Sequence, residues 1–385
     1  MVLLKILLSA LIAFVGTSWI HPYILKIAKN KNIVDNPDAR KLQRVPVPVL
    51  GGISVVFGIL VGSVCFYLYG DLNGLLPILV AMTVIMVVGM IDDIISLSPR
   101  IRFAIEILLV LALIYTANTQ INDFNGLWGL TIIPRWISIP LTIFACVGII
   151  NAINLIDGVD GYSSGYCVVA CTLFGVMFYK IGYTDMTALA AMVAGALIPF
   201  FLHNVFGSRS KMFIGDSGTL ALGVVLSSFV ATLLSAETNT SELNPDLGLI
   251  PFTLAVMCIP VFDTLRVMSL RIVRKQSPFH PDKTHLHHLF IDLGFSHIGT
   301  TISIISINLL VVALWFVSYK LGASIDLQLY IVIALGLLIT FVFYWLMRRL
   351  IRKNHIIYKH ISRIGRFTHI ERYKVWAVMQ DWLDR

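Results

Sequence analysis

Polar and apolar positions along this chain alternate on the scale of whole segments. Long apolar runs are broken by short polar stretches, with little period-2 or amphipathic patterning inside the runs. Runs near the roughly 17–25 residues that cross a hydrocarbon core fall at Leu3–Ile20, Val49–Tyr69, Leu75–Ile91, Arg102–Thr116, Ile137–Ile150, Ser163–Tyr179, Met186–His203, Thr219–Ala236, Leu249–Met268, Thr300–Ser318 and Leu327–Met347. The pattern predicts an all-α polytopic membrane protein with about eleven transmembrane helices, the Arg102 and Ile137 runs being the shortest. Residues 1–347 form the expected membrane body. Residues 348–385 form a basic tail with Trp376 and Trp382 near its end, expected to lie as an amphipathic segment on the inner leaflet.

Composition agrees. With 57% hydrophobic and 13% charged residues and a mean hydropathy of +0.85, the chain lacks the quarter or so of charged residues usual in soluble domains. An odd number of spans places the loops alternately. One face then collects the stretches 26–48, 92–101, 151–162, 204–218, 269–299 and the tail, with the basic residues at the adjoining span ends counted in. Of the 29 Lys and Arg, this face holds all but Lys5, Arg135, Lys180 and Lys320, which makes it cytoplasmic. The opposite loops lean acidic, with Asp71, Asp123, Asp185, Glu237, Glu242 and Asp246. The net charge of +8 therefore belongs to one membrane surface, where it meets anionic headgroups or substrates, and nucleic acid is not an expected partner. The five cysteines, Cys65, Cys146, Cys167, Cys171 and Cys258, all sit in apolar runs and read as small core hydrophobes. The first run resembles a signal-peptide core but is long and lacks a convincing cleavage site, so it is expected to stay as an anchor.

The stretch richest in chemistry is NAINLIDGVDG, Asn151 to Gly161. If it begins a helix, Asp157 and Asp160 share one face, a costly arrangement at a membrane edge unless something cationic sits between them. Gly158 and Gly161 suggest a turn in which backbone crowds a ligand, and Asn151 and Asn154 add amide groups. Earlier, DNPDARKLQRVPVPVLGG carries Arg40, Lys41 and Arg44. Pro46 and Pro48 hold its backbone extended, and Gly51-Gly52 allows close approach at the mouth of the second span. It is either an ordinary basic loop or a clamp for phosphate. Asp92 and Asp93 end the third span and point about 100° apart on a helix, so one suits a metal and the other a proton or second ligand. Glu106 is four residues from Arg102, the spacing of an intrahelical ion pair.

Further on, NVFGSRSKMFIGDSG brings Arg209, Lys211 and Asp216, the last also a natural helix N-cap. SPFHPDKTHLHHLF gathers His280, His285, His287 and His288 with Asp282 and Lys283. That spacing fits neither a zinc finger nor HExxH, although a metal-buffering or pH-sensing loop is an alternative. Asp263 and Arg266, ending the preceding span, are expected to pair with each other or with this loop.

Every such cluster falls on the predicted cytoplasmic face, from five separate loops. A membrane-edge site for one water-soluble and one lipid substrate fits this arrangement, with Mg²⁺ on the carboxylates and the basic loops on a diphosphate. A secondary transporter is the reading from another class. It is disfavoured because the acids sit at span ends and the two halves are unrelated.

Five ordered motifs, DNPDARK…PVPVLGG, the Asp92-Asp93 pair, NAINLIDGVDG, KMFIGDSG and SPFHPDKTHLHH, resemble the polyprenyl-phosphate N-acetylhexosamine-1-phosphate transferases. The resemblance covers about Asp35 to Phe295. It implies transfer of a sugar-1-phosphate from a UDP-N-acetylhexosamine to undecaprenyl phosphate, with release of UMP and dependence on Mg²⁺, Mn²⁺ being an alternative ion. It implies a multi-pass protein of the bacterial cytoplasmic membrane, acting in cell-envelope glycan synthesis, and leaves a homodimer open. By matched position, Asp93 and Asp216 look like metal-side residues and Asp92 like the acid that deprotonates or positions the lipid phosphate. Asp157, Asp160 and Asn154 resemble residues holding the nucleotide sugar, and Phe213 an aromatic that stacks on uracil. His285, His287 and His288 match a diphosphate-contacting loop, and Arg40, Lys41, Lys211, Asn204 and Asp282 complete the substrate-binding set. HPDKTHLHH looks like the branch using UDP-N-acetylglucosamine, with UDP-N-acetylmuramoyl-pentapeptide the alternative donor. Gln43 departs from the histidine frequent after the Arg-Lys pair. The implied step is a single displacement; a double displacement through an aspartyl intermediate would reveal itself as phosphorylated Asp92, Asp93 or Asp157.

Overall fold

The computed structural model describes residues 2–37, 45–68, 74–277 and 283–384. Arg40, Lys41, Gln43, Arg44, Asp71, His280 and Asp282 lie outside the described residues. Helices occur at every apolar run: α1 (Val2–Asn30), α2 (Gly51–Tyr67), α3 (Leu76–Ile95), α4 (Pro99–Thr116), α5 (Arg135–Leu155), α6 (Tyr162–Lys180), α7 (Thr184–Phe206), α8 (Gly215–Leu233), α9 (Leu249–Val256), α10 (Cys258–Val273), α12 (His297–Lys320) and α13 (Ile325–Leu337). Shorter helices are α11 (Leu286–Asp292), α14 (Tyr344–Arg352), α15 (Ile356–Phe367) and α16 (Lys374–Leu383). The all-α membrane class holds. The count of eleven is less firm, because eight helices among the described residues are long and apolar enough to cross a membrane, and a bent pair makes nine. The difference lies in α2, which has 17 residues, and in α4, which carries Arg100, Arg102 and Glu106.

Helix α8 is the axis of the bundle. Its span window is 94% buried, against 22% for α1, and it packs on α2, α3, α5 and α6. Small residues let the backbones close on it, the usual device where helices pack within lipid. A Cβ on Gly89 of α3 would lie 2.5 Å from the Asp216 carbonyl, and one on Gly52 of α2 would lie 2.1 Å from the Gly218 amide nitrogen. Those contacts fix the first turn of α8 against the end of α3 and the start of α2. The expected extended backbone at Pro46–Pro48 is present as a two-residue strand, Val47–Pro48, paired antiparallel with Val34–Asp35. Phe213 N donates to Pro48 O, while Gly51 N and Gly52 N donate to Phe213 O and Ile214 O. The first and fourth motifs are therefore one hydrogen-bonded layer.

Between α9 and α10 the chain bends by 72°, which frees backbone groups that hydrocarbon cannot satisfy. Asn308 of α12 takes them up: its Oδ1 accepts from Ile259 N and its Nδ2 donates to Val256 O, 3.0 Å each. The Tyr166 hydroxyl also donates to Val256 O. All five cysteines are buried and free, as their place in the apolar runs predicts.

Candidate functional site

At one end of α8 lies a cavity of about 380 Å³ whose lining includes Asp35, Asp93, Asp157, Asp160 and Asp216. Five carboxylates from four chain segments meet there, together with Lys211, Phe213, Asn154, Asn204, His288 and His297.

The helices run past the apolar stretches into the polar motifs, which sets the geometry. Helix α3 continues to Ile95, so Asp92 and Asp93 are helical and diverge as their spacing predicts. Asp93 turns inward, where its carboxylate accepts from the backbone N–H groups of Asp216 (2.9 Å) and Ser217 (3.1 Å). Those are unpaired donors in the first turn of α8. The cap of α8 is thus supplied by another helix; Ile214 occupies its own N-cap position without a side-chain bond, and Asp216 is the second residue of the helix. Asp92 turns outward from the cavity lining and accepts from Leu97 N (2.6 Å) and Arg102 Nη1 (2.9 Å).

Arg102 does more than pair within its helix. It lies 3.7 Å from Glu106, but the same guanidinium bridges Asp92 and, at 3.3 Å, Asp216. The other Asp216 oxygen accepts from Asn154 Nδ2 at 2.6 Å. Glu106, fully buried, accepts from Asn151 at 2.5 Å.

The NAINLIDGVDG segment is not a helix start. Asn151 and Asn154 occupy the last turns of α5, residues 156–161 form a turn, and α6 begins at Tyr162. Gly161 adopts φ +76°, the left-handed region that suits glycine and stops the helix. Asp157 and Asp160 consequently reach different partners. Asp157 accepts from the Ser163 hydroxyl at 2.6 Å, whereas Asp160 accepts from Lys211 Nζ and pairs with His297 Nδ1, both at 2.7 Å. Asn204 Oδ1 accepts from Gly161 N at 2.7 Å, and its Nδ2 donates to Met212 O, tying the turn to the strand-like segment that carries Lys211 and Phe213. A Cβ on Gly158 would lie 2.3 Å from His287 Nε2, so the turn also rests against the histidine loop.

These partners split the two carboxyls electrically. Burial pushes Asp157 up to about 7, the Ser163 hydrogen bond only partly offsetting it. For Asp160 burial acts the same way, but His297 and Lys211 outweigh it and hold the group below the usual carboxylate range. Burial, reinforced by His285, pushes His288 down to about 4; it offers the cavity a neutral imidazole near pH 7. His287 is driven well below its ordinary value by burial and by His288.

Of the three described histidines of the loop, His288 lines the cavity and His285 and His287 stand behind it, 5% and 3% exposed. His285 Nδ1 is 2.9 Å from Asp263, and Arg266 Nη2 is 2.6 Å from the same carboxylate, confirming the expected pairing. His297 and Asp35 are site residues that the motif reading passed over. Asp35 did lie inside the first motif, whereas His297, 137 residues from Asp160, carries no local signal.

Among the described residues no three His, Cys, Asp or Glu form a cage for a metal ion. A Mg²⁺ site does not need one, since Mg²⁺ is commonly held by one or two carboxylates, water and substrate phosphate. Asp93 and Asp216 supply hard oxygen donors side by side, and Gly215 leaves room there, a Cβ at that position falling 2.6 Å from Asp93 Oδ2. The residues fit that ion.

Residues 75–234 match the family model described as glycosyl transferase family 4. A probable undecaprenyl-phosphate N-acetylglucosaminyl 1-phosphate transferase of Bacillus subtilis (strain 168) is 29% identical over 297 residues, 77% of this chain and 80% of its own. An undecaprenyl-phosphate alpha-N-acetylglucosaminyl 1-phosphate transferase of Escherichia coli (strain K12) is 29% identical over 293 residues, 74% and 76% of the two chains. A protein of the same name from Yersinia pestis is 28% identical over 365 residues, covering 91% and 90%. The resemblance carried by the five motifs is the one these matches give.

Proposed function

We infer that this multi-pass membrane protein is an undecaprenyl-phosphate N-acetylglucosamine-1-phosphate transferase, moving sugar-1-phosphate from UDP-N-acetylglucosamine to the lipid phosphate and releasing UMP. The observation that carries the reading is the convergence of Asp93, Asp157, Asp160 and Asp216 on one cavity with Lys211 and Phe213. An anionic diphosphate enters an acid-lined cavity only with a cation beside it. Asp93 and Asp216 would hold Mg²⁺, which when bound offsets charge on the transferring phosphoryl group. The face bearing the cavity is cytoplasmic by the distribution of Lys and Arg, in the inner membrane of a bacterium.

In the step proposed, an oxygen of the lipid phosphate bonds to the sugar-linked phosphorus. The bond from that phosphorus to the bridging oxygen breaks, its electron pair leaving with UMP. Lys211, 5.8 Å from the Phe213 ring centroid, places an ammonium for phosphate beside an aromatic face for the uracil. Asp160 and His297 fix that ammonium. Arg102, held by Asp92, orients Asp216. Asp157 is a lining carboxyl that burial pushes up to about 7 and that is not one of the two residues assigned to the cation, and it receives the proton of the attacking phosphate.

Purified protein with undecaprenyl phosphate should release UMP from UDP-N-acetylglucosamine in the presence of Mg²⁺, at least about a hundredfold faster than from UDP-N-acetylmuramoyl-pentapeptide, a ratio within ordinary substrate discrimination. Transport of solute or ions without UMP release would sink the assignment. A pH profile tests the Asp157 role. Because the acid form is favoured below about 7, kcat/KM should rise with pH up to that value. Ser163→Ala removes the hydrogen bond that lowers this carboxyl, so the acid limb should move to higher pH; an unmoved limb removes Asp157 from the proton step.

A further inference from the structure

Away from the cavity just described, and sharing no lining residue with it, lies a second hollow of about 460 Å³ between α10 and the junction of α13 with α14. Its charged lining is Arg266, Arg274, Arg348 and Arg352, with no acidic side chain among the described residues that line it. Phe341, Tyr344 and Trp345 form the rest of the wall used here.

Arg266 makes this more than a basic patch. It is 1% exposed, yet its Nε and Nη1 have no hydrogen-bond partner among the described residues. Only Nη2 is bonded, to Asp263 Oδ1 and Thr284 O, 2.6 Å each. The guanidinium lies over the Tyr344 ring, its Cζ 3.7 Å from the centroid, a cation–π contact that helps hold it in place. Unsatisfied buried charged donors are expensive, and here they line a hollow whose rim adds exposed Arg274 and Arg352. Asp263 already serves Arg266 and His285, and Arg348 is paired with Asp292, which leaves the hollow with a surplus of positive charge.

The other wall names the rest of the ligand. Trp345 is 58% exposed and Phe341 36%, on the outward side of a helix that also shows Leu338 and Val342. Chain just ahead of the hollow, Leu338–Phe343, is a π-helical turn, an irregularity that recurs at functional sites. Forked guanidinium donors suit a phosphate oxygen pair, and the aromatic belt suits the acyl region at a membrane edge.

We propose that this hollow binds a lipid carrying an anionic phosphate headgroup, with the phosphate on Arg266, Arg274 and Arg352 and the chain along Phe341 and Trp345. Asp263 links the site to the histidine loop, since it also accepts from the Leu286 backbone N–H. The inference does not depend on which reaction the cavity performs.

Native mass spectrometry of the full chain released from nanodiscs tests it, with a thermal midpoint to report folding. Arg266 is left intact, because removing it would strand Asp263; the rim variant R274Q/R352Q is used instead. The unsubstituted protein should retain phosphatidylglycerol in preference to phosphatidylcholine. The rim variant, with an unchanged midpoint, should lose that retention by about thirty-fold, roughly five-fold for each basic side chain. Equal retention of the two lipids, or a rim variant that keeps phosphatidylglycerol, overturns the proposal. Inorganic phosphate that displaces the lipid at millimolar concentration would show a free-phosphate site and equally overturn it.

Discussion

Asp216→Asn should lower turnover about 10³-fold or more, roughly 4 kcal/mol of transition-state stabilisation, while the protein inserts and melts as before. The substitution keeps size and leaves Arg102 its second carboxylate, Asp92, at 2.9 Å. Asn154 still finds an oxygen to donate to. What disappears is one negative charge in the cavity, next to Asp93, where the proposed cation sits. Asp93→Asn should behave differently. The Asp93 carboxylate accepts two backbone N–H bonds that start α8, and an amide accepts with only one of its two atoms, so lost activity should come with about 1–2 kcal/mol of lost stability, the scale of a removed helix cap. Steady-state UMP release and detergent melting curves on both variants separate the two roles. An Asp216→Asn enzyme within tenfold of the unsubstituted one would remove that residue from the centre.

The largest stability effect is expected from Asp263→Asn. Asp263 and Arg266 are buried, their side chains 4% and 1% exposed, and the carboxylate also takes His285 and the Leu286 amide. Removing the negative charge strands a buried guanidinium, a loss that typically costs about 3–5 kcal/mol. The double variant Asp263→Leu with Arg266→Leu should recover much of that, because both desolvated charges go together. Equilibrium unfolding in mixed micelles reads both. A single variant as stable as the original, or a double variant no better than the single, would show that the pair is not what anchors the histidine loop.

These residues show which parts of the site can be read along the chain. Hydropathy located a helix at each apolar run because lipid-facing side chains must be apolar whatever their neighbours, although α2 and α4 are not among the helices long and apolar enough to cross a membrane. It misplaced ends, since Asp92, Asp93, Asn151 and Asn154 are helical and their polar groups are satisfied by other helices. The divergence of Asp92 from Asp93 follows from helical geometry and was legible. So was the close approach at Gly51-Gly52, and so was the pairing of Asp263 with Arg266. The capping of α8 by Asp93 was not legible. It depends on the register of α3 against α8, set by the contact of Gly89 with the Asp216 backbone, and one sequence holds no signal for such a register. His297 and the reach of Arg102 to Asp216 were missed for the same reason. Asp157 and Asp160 were expected on one helical face, but Gly161 ends that option with a positive φ, and the turn hands each acid a different partner.

In the proposed reaction, Asp93 at the end of α3 and Asp216 at the start of α8 hold a divalent cation against the diphosphate of the nucleotide sugar. Electron paramagnetic resonance on protein loaded with Mn²⁺ and UDP-N-acetylglucosamine tests it most directly, through the hyperfine coupling between the ion and ³¹P. Such coupling should appear in the unsubstituted protein and be lost in Asp216→Asn. Mn²⁺ bound without phosphorus coupling, or coupling that survives in both Asp93→Asn and Asp216→Asn, would contradict it.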